Sequence, residues 1–128
     1  MKSKLISVNN LKVSSEQKKL VKGISFDLNR NEILGIIGES GSGKSLTALS
    51  ILSLIKFKGL NQSGEIFYAD ELIDKSNQDN IIRDEISIIF QDPMSYLNPS
   101  MKCGEQILET LKIKDKNQVL SLINKVKI

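Results

Sequence analysis

Eight consecutive residues have the types and the spacing that phosphate binding requires. Residues 38–45 read Gly-Glu-Ser-Gly-Ser-Gly-Lys-Ser and match the pattern G-x-x-x-x-G-K-[ST]. Glycines let the backbone curl until successive N–H groups converge on phosphate oxygens, because no Cβ stands in the way. Lys44 adds an ammonium that can reach the β- and γ-phosphates, and the Ser45 hydroxyl can ligate the Mg²⁺ that bridges them. The pattern predicts a site for a nucleoside triphosphate and Mg²⁺.

The residues predicted to contact the nucleotide are consecutive: Gly38, Glu39, Ser40, Gly41, Ser42, Gly43, Lys44, Ser45 and Leu46. The flanking sequence predicts the elements that such a loop needs. Residues 32–37 are short and apolar and follow a turn signal, which is typical of a buried strand. Residues 45–55 carry apolar side chains at three-residue intervals, which predicts a mostly buried helix. The N–H groups of its first turn and the positive end of its dipole would face the phosphates.

Patterning elsewhere predicts an α/β fold with an antiparallel sheet at the amino end. Predicted strands are residues 5–8 with an extension toward 13, 20–28, 65–68 after a loop at 59–64, and a buried strand at 86–90. Predicted helical segments are a single turn at 80–85, then 103–113 and 117–127. The strands at 32–37 and 86–90 are expected to be parallel and covered by helices.

Composition restricts the other functions. The 128 residues, 40% of them hydrophobic, fit one domain or part of one. The net charge of +3 is spread over many lysines without interleaved aromatics, so nucleic acid is not an expected partner. The chain has no histidine and a single cysteine, Cys103, which argues against zinc chemistry, His-dependent catalysis and an internal disulfide. No secretory signal or membrane-spanning run is evident, so a soluble chain is expected.

A second polar constellation follows the predicted strand at 86–90. Gln91 and Asp92 open a loop that Pro93 and Pro99 restrict. With the phosphate loop upstream, this segment resembles the glutamine loop of ATP-binding-cassette (ABC) ATPases, where an acidic residue, Pro and then Leu-Asn-Pro follow the glutamine. The match is close to the peptide and nickel importer branch. Gly64-Glu65-Ile66 and Gly104-Glu105-Gln106-Ile107 are similar to the same branch, so the resemblance covers about residues 8–107.

The resemblance implies a partial P-loop NTPase core with an antiparallel β subdomain, followed by the start of a helical subdomain. The nucleotide-binding core would be residues 1–99 and the helical part residues 100–128. ATP and Mg²⁺ are the implied cofactors. The family's glutamine approaches the metal and the attacking water, so Gln91 is expected to position both and to share Mg²⁺ with Ser45. Phosphoryl transfer depends on such positioning more than on a strong base.

The resemblance also implies partners and a location. The loop of residues 92–99, from Asp92 to Pro99, would dock on transmembrane permease subunits. A second ABC ATPase subunit would complete the enzyme, and an extracytoplasmic solute-binding protein would act indirectly. The subunit would lie on the cytoplasmic face of the inner membrane and couple ATP hydrolysis to uptake of peptides or nickel. The solute itself is chosen by chains other than this one.

The sequence departs from the family pattern in what it lacks. It contains no Leu-Ser-Gly-Gly signature, no second acidic motif with a catalytic glutamate and no switch histidine. It resembles the amino-terminal half of such a subunit, and the isolated chain is expected to bind ATP without transporter-like turnover. Leu46 stands where many family members carry a threonine. Val13, Ser14 and Ser15 stand where many carry an adenine-stacking aromatic, which leaves ATP-over-GTP preference open.

Two other functions fit parts of the sequence. Residues 66–71, Ile-Phe-Tyr-Ala-Asp-Glu, look like a strand that ends in an acid pair, so a compact P-loop kinase or hydrolase would use Asp70 to hold Mg²⁺. The ABC resemblance instead places Ala69 and Asp70 in a turn of the antiparallel sheet. A non-enzymatic chain that binds nucleotide or a partner without turnover is the third hypothesis.

Overall fold

The computed structural model describes residues 3–55, 59–111 and 114–126. They fall into two units, Met1–Ser87 and Ile88–Ile128. The strands are β1 (Lys4–Ser14), β2 (Lys19–Asn29), β3 (Asn61–Tyr68) and β4 (Glu71–Leu72). The helices are α1 (Lys44–Ile51), α2 (Gln78–Glu85), α3 (Cys103–Thr110) and α4 (Lys116–Lys125), with a short 3₁₀ helix at Pro93–Tyr96. No helix in these ranges is both long enough and apolar enough to cross a bilayer.

The predicted amino-terminal sheet is confirmed. Its strand order is β2-β1-β3-β4 and every pairing is antiparallel. β1 and β2 form the expected hairpin, in which Ser15 N donates to Lys18 O at 2.9 Å. β3 begins at Asn61, earlier than the predicted residue 65, because its polar residues 61–63 pair with the end of β1. Ladder hydrogen bonds satisfy the backbone there, although the side chains carry no strand pattern.

Helix α1 packs against one face of the sheet. Ile55 is fully buried with Val13 and Val21, and Leu46 and Leu49 pack on the same cluster. The three-residue spacing therefore predicted correctly that Leu46, Leu49 and Ile55 turn inward. It missed the two residues that are buried within the α-helix itself, Thr47 and Ser50. The α-helix ends at Ile51, earlier than the predicted residue 55, and the chain continues through a turn in which Ser53 has a φ of 55°.

The two expected parallel strands are wrong in this structure. Residues 32–37 and 86–90 form neither helix nor strand. Ile33, Ile37 and Ile89 are 99%, 96% and 92% exposed. A buried parallel strand needs neighbours that accept its ladder hydrogen bonds and helices that cover its faces. Neither segment joins a ladder among the described residues, so an apolar composition alone does not make them strands.

The predicted helices are confirmed with shifted ends. The single turn expected at 80–85 is the two-turn helix α2, which starts at Gln78. Helix α3 begins where predicted and ends at Thr110, and α4 spans Lys116–Lys125. The predicted ends at residues 113 and 127 lie outside the described residues. The two helices pack together through Val119, which approaches Gly104.

Asp27 on β2 gives a pH test of the β1–β2 register. Its carboxylate pairs with Lys4 Nζ at 2.8 Å and accepts a hydrogen bond from Ser7 Oγ at 2.7 Å. Lys4, and after it Ser7, hold the pKa of Asp27 below the ordinary value of 3.8. Because the folded pKa is lowered, the stabilisation is present above the unfolded pKa and is lost as the pH falls through the folded pKa.

We expect carbon-detected NMR to find the pKa of Asp27 below 3.8 in the parent and closer to 3.8 in Lys4→Ala. Asp74 is the internal control, because hydrogen bonds from Ser76 lower its pKa and Lys4 takes no part. An Asp27 titration that is the same in both proteins would contradict the pairing.

Candidate functional site

The predicted phosphate loop leads into the amino terminus of α1. Ser42 N donates to Glu39 O at 3.2 Å, and the first helical hydrogen bond runs from Thr47 N to Gly43 O at 2.8 Å. The N–H groups in the first turn of a helix have no acceptor within the helix, and no side chain caps this end of α1. Residues 41–46 line a small cavity of about 160 Å³. The uncapped first turn of α1 therefore lies beside this cavity.

Gly43 fixes the position of this loop. It caps α1 in the left-handed region, with a φ of 98°. A Cβ at this position would lie 2.9 Å from Val21 Cγ2 and 3.0 Å from the carbonyl oxygen of Leu20. The loop thus rests directly on the backbone of β2, and only glycine combines this φ with this contact.

Lys44 folds back across the loop. Its Nζ donates to the carbonyl oxygens of Gly38 and Glu39, both at 2.7 Å. These oxygens stand in for the anionic phosphate oxygens that the motif predicts as partners of the ammonium. The ammonium is therefore already held at the loop.

The residues that follow Lys44 differ in how far they are buried. Ser45 is exposed on the first turn, and Leu46 is half-buried against the Val13 and Val21 cluster. Thr47 is a positioning residue that the sequence prediction missed. Its buried hydroxyl donates to the Gly43 carbonyl at 3.0 Å, which reinforces the helix start. A threonine four residues after the last loop glycine is the signal that could have found it.

Gln91 lies in the second unit, where it is exposed. The loop after it folds back locally. The rings of Phe90 and Tyr96 stack with centroids 3.7 Å apart, and Ser95 Oγ donates to the Asp92 carboxylate. The structure therefore brings residues 38–46 together in the first unit and places Gln91 with residues 92–99 in the second.

Gln106 on α3 is a second positioning residue that the sequence prediction missed. Its Nε2 donates to Asn98 O at 3.1 Å and to Met101 O at 2.9 Å, while its Oε1 accepts from Asn98 N at 3.0 Å. One side chain thereby ties the end of the 92–99 loop to the helix. Beside this clamp lies a cavity of about 570 Å³ lined by Tyr96, Met101 and residues of α3.

Asp70 is not placed to hold a metal beside the phosphate loop. It occupies the two-residue turn between β3 and β4, where Ala69 and Asp70 have φ values of 48° and 67°. Because β3 runs antiparallel to β1, this acid does not end a parallel strand. Within the described ranges, no group of three His, Cys, Asp or Glu side chains is gathered closely enough to hold a metal ion.

A glycine loop that caps a helix on its left-handed glycine, with a lysine over the loop, defines a P-loop nucleotide-binding protein. The chain belongs to the ABC transporter family, whose model matches residues 21–128.

Relatives support this membership. The oligopeptide transport ATP-binding protein OppD of Haemophilus influenzae is 47% identical over 95 residues, which cover 73% of this chain and 29% of that protein. OppD of Bacillus subtilis is 41% identical over 117 residues, or 85% of this chain and 33% of that protein. The dipeptide transport ATP-binding protein DppD of Escherichia coli is 34% identical over 138 residues, which cover 97% of this chain and 42% of that protein. The chain therefore spans roughly a third of the length of these relatives.

Proposed function

We propose that the chain is the ATP-binding part of the ATPase subunit of a peptide importer. The observation that carries this proposal is the phosphate loop packed on β2, with Lys44 held over it and the first turn of α1 left uncapped. Relatives named as oligopeptide and dipeptide transport ATP-binding proteins supply the substrate class. The names of these relatives specify oligopeptides and dipeptides and do not mention nickel, so we propose peptides as the solute class.

The residues present fit Mg-ATP. The backbone N–H groups of residues 40–46 are proposed to donate to the phosphates, and Gly43 allows the loop to rest on β2 without a Cβ clash. Lys44 would exchange its two carbonyl acceptors for phosphate oxygens. Ser45 would contribute its hydroxyl to Mg²⁺, which neutralises the charge that develops on the γ-phosphoryl group. Leu46 offers only its backbone donor.

Gln91 is proposed to orient the attacking water and to contact Mg²⁺. An amide both donates and accepts hydrogen bonds but does not take a proton at neutral pH, so Gln91 would position water without activating it as a base. The general base of the family, a glutamate in a second acidic motif, is not in this sequence. Residues 1–128 on their own would therefore bind ATP and hydrolyse it far more slowly than a transporter.

The 92–99 loop is proposed as the contact with the permease. Met94 and Tyr96 expose 73% and 61% of their surface, and Gln106 anchors the loop beside an apolar cavity. Exposed apolar side chains on an anchored loop suit a protein partner. A second ATPase subunit and an external solute-binding protein complete the proposed assembly, with this subunit on the cytoplasmic membrane face.

Phosphate release tests the proposal. Purified chain with saturating Mg-ATP is expected to bind the nucleotide and to release phosphate at well below about one turnover per second, the lower end of usual enzyme rates. Lys44→Ala is the blank for contaminating ATPases. Turnover near one per second that disappears in Asp70→Asn but survives Gln91→Ala would instead establish the compact kinase or hydrolase. Absence of any ATP binding would overturn the proposed function itself.

A further inference from the structure

Three lysines line a cavity at the hairpin end of the sheet. The cavity has a volume of about 350 Å³, and its lining includes Lys12, Lys19, Lys22, Ser14 and Ser63. Neither Asp nor Glu contributes to the lining. Lys12 and Lys22 are exposed, whereas the adjacent Val13 and Val21 are buried toward α1. The side chains of Lys12 and Lys22 therefore lie on the sheet face opposite the helix.

The strand register brings two of these charges together. Lys12 on β1 is directly opposite Lys22 on β2 and, on its other side, opposite Ser63 on β3. Gly23 makes room for the Lys12 side chain, since a Cβ there would lie 3.4 Å from Lys12 Cε and 2.7 Å from Asn10 Oδ1. Gly23 also has a φ of 102°, which a side chain rarely adopts. The aliphatic part of the Lys12 side chain thus packs over Gly23 on β2, next to Lys22.

This arrangement costs stability unless an anion lies between the lysines. Like charges directly opposite each other destabilise an antiparallel pair. Among the residues that the structure describes, no carboxylate forms an ion pair with any of these three lysines. The hydroxyls of Ser14 and Ser63 add neutral donors beside the ammonium groups.

We propose that this lysine cavity binds a phosphate-bearing anion, at a site separate from the phosphate loop. A phosphate group has several oxygens that accept charge-assisted hydrogen bonds from more than one ammonium at once. No residue that lines this cavity also lines the cavity of residues 41–46. The shared chemistry is a phosphate group, which either a free phosphate compound or an anionic phospholipid headgroup would supply.

The test uses Lys22→Glu in the Lys44→Ala background, so that the phosphate loop contributes little. Glu at position 22 removes one ammonium and places a carboxylate opposite Lys12, a favourable cross-strand pair that keeps the sheet folded. Lys75→Glu makes the same change in net charge at an exposed residue outside the cavity. Inorganic phosphate is titrated at constant ionic strength while amide shifts are recorded by ¹H–¹⁵N NMR.

We expect saturable shifts at Lys12 and Ser63 in the Lys44→Ala protein, and binding about tenfold weaker after Lys22→Glu but unchanged after Lys75→Glu. Co-sedimentation with phosphatidylglycerol vesicles, and not with phosphatidylcholine vesicles, that Lys22→Glu abolishes would assign the site to a lipid headgroup. Saturable phosphate binding without vesicle binding would assign it to a free phosphate compound. Failure of both arms, or equal losses in the two Glu variants, overturns the site.

Discussion

Lys44→Ala weakens Mg-ATP binding by about tenfold to a hundredfold, because each hydrogen bond to a charged group is worth about 1.5 to 3 kcal/mol. The ammonium lies over the loop through Gly38 O and Glu39 O, and alanine removes it. Titration calorimetry of Mg-ATP into the two proteins measures the loss. Because the side chain is held by carbonyl acceptors and not by an ion pair, the fold should tolerate its removal.

Lys75→Ala is the matched control, since it removes the same charge from an exposed turn of the same unit. Its ATP affinity should equal that of the parent. Equal affinity in Lys44→Ala and the parent would refute the assignment of the phosphate loop.

Gly43→Ala lowers the free energy of unfolding by about 2 to 6 kcal/mol. Left-handed backbone at a non-glycine residue costs about 1 to 3 kcal/mol, and the new Cβ also meets Val21 Cγ2 and the Leu20 carbonyl at 2.9 and 3.0 Å. Because the carbonyl belongs to β2, relief requires the loop to move away from the sheet. Urea denaturation gives the loss of stability, and ATP titration is expected to show weaker binding by the displaced loop.

The variant Gly41→Ala separates the cost of backbone strain from the cost of the Cβ contact with β2. Gly41 also has a left-handed φ, 79°, but nothing lies within 4 Å of a Cβ built there. It should therefore lose only the strain component and stay more stable than Gly43→Ala by about 1 to 3 kcal/mol. Equal stability of the two variants would show that the loop does not rest on β2.

The sequence predicted most reliably the features that depend on neighbours along the chain. Alternation located β2, and three-residue spacing identified Ile55 and Leu46 as inward-facing residues of α1 or the turn after it. The turn at Ala69 and Asp70 was also expected. The residues of the phosphate loop are proposed from a motif whose function would reside in its own backbone, so a local pattern suffices to propose them.

Features that depend on distant residues were not predictable in the same way. The apolar runs at 32–37 and 86–90 have strand composition, but whether they join a ladder is decided by segments far along the chain. The clamp of Gln106 on Asn98 spans eight residues and two kinds of structure. The pairing of Lys12 with Lys22 depends on the strand register, which irregularities in β1 change. Counting alternating residues in the sequence cannot predict that change.

The exposed segment of residues 33–37 sets a limit on how the purified chain can be handled. It is a short apolar run with no proline and no charge, and two of its isoleucines are almost fully exposed. Segments of this kind from separate molecules can stack side by side into cross-β ribbons. The lifetime of a concentrated stock should therefore fall steeply with concentration, and added salt should shorten it by screening the repulsion between molecules of net charge +3. Dilute, low-salt storage is the condition that this surface favours.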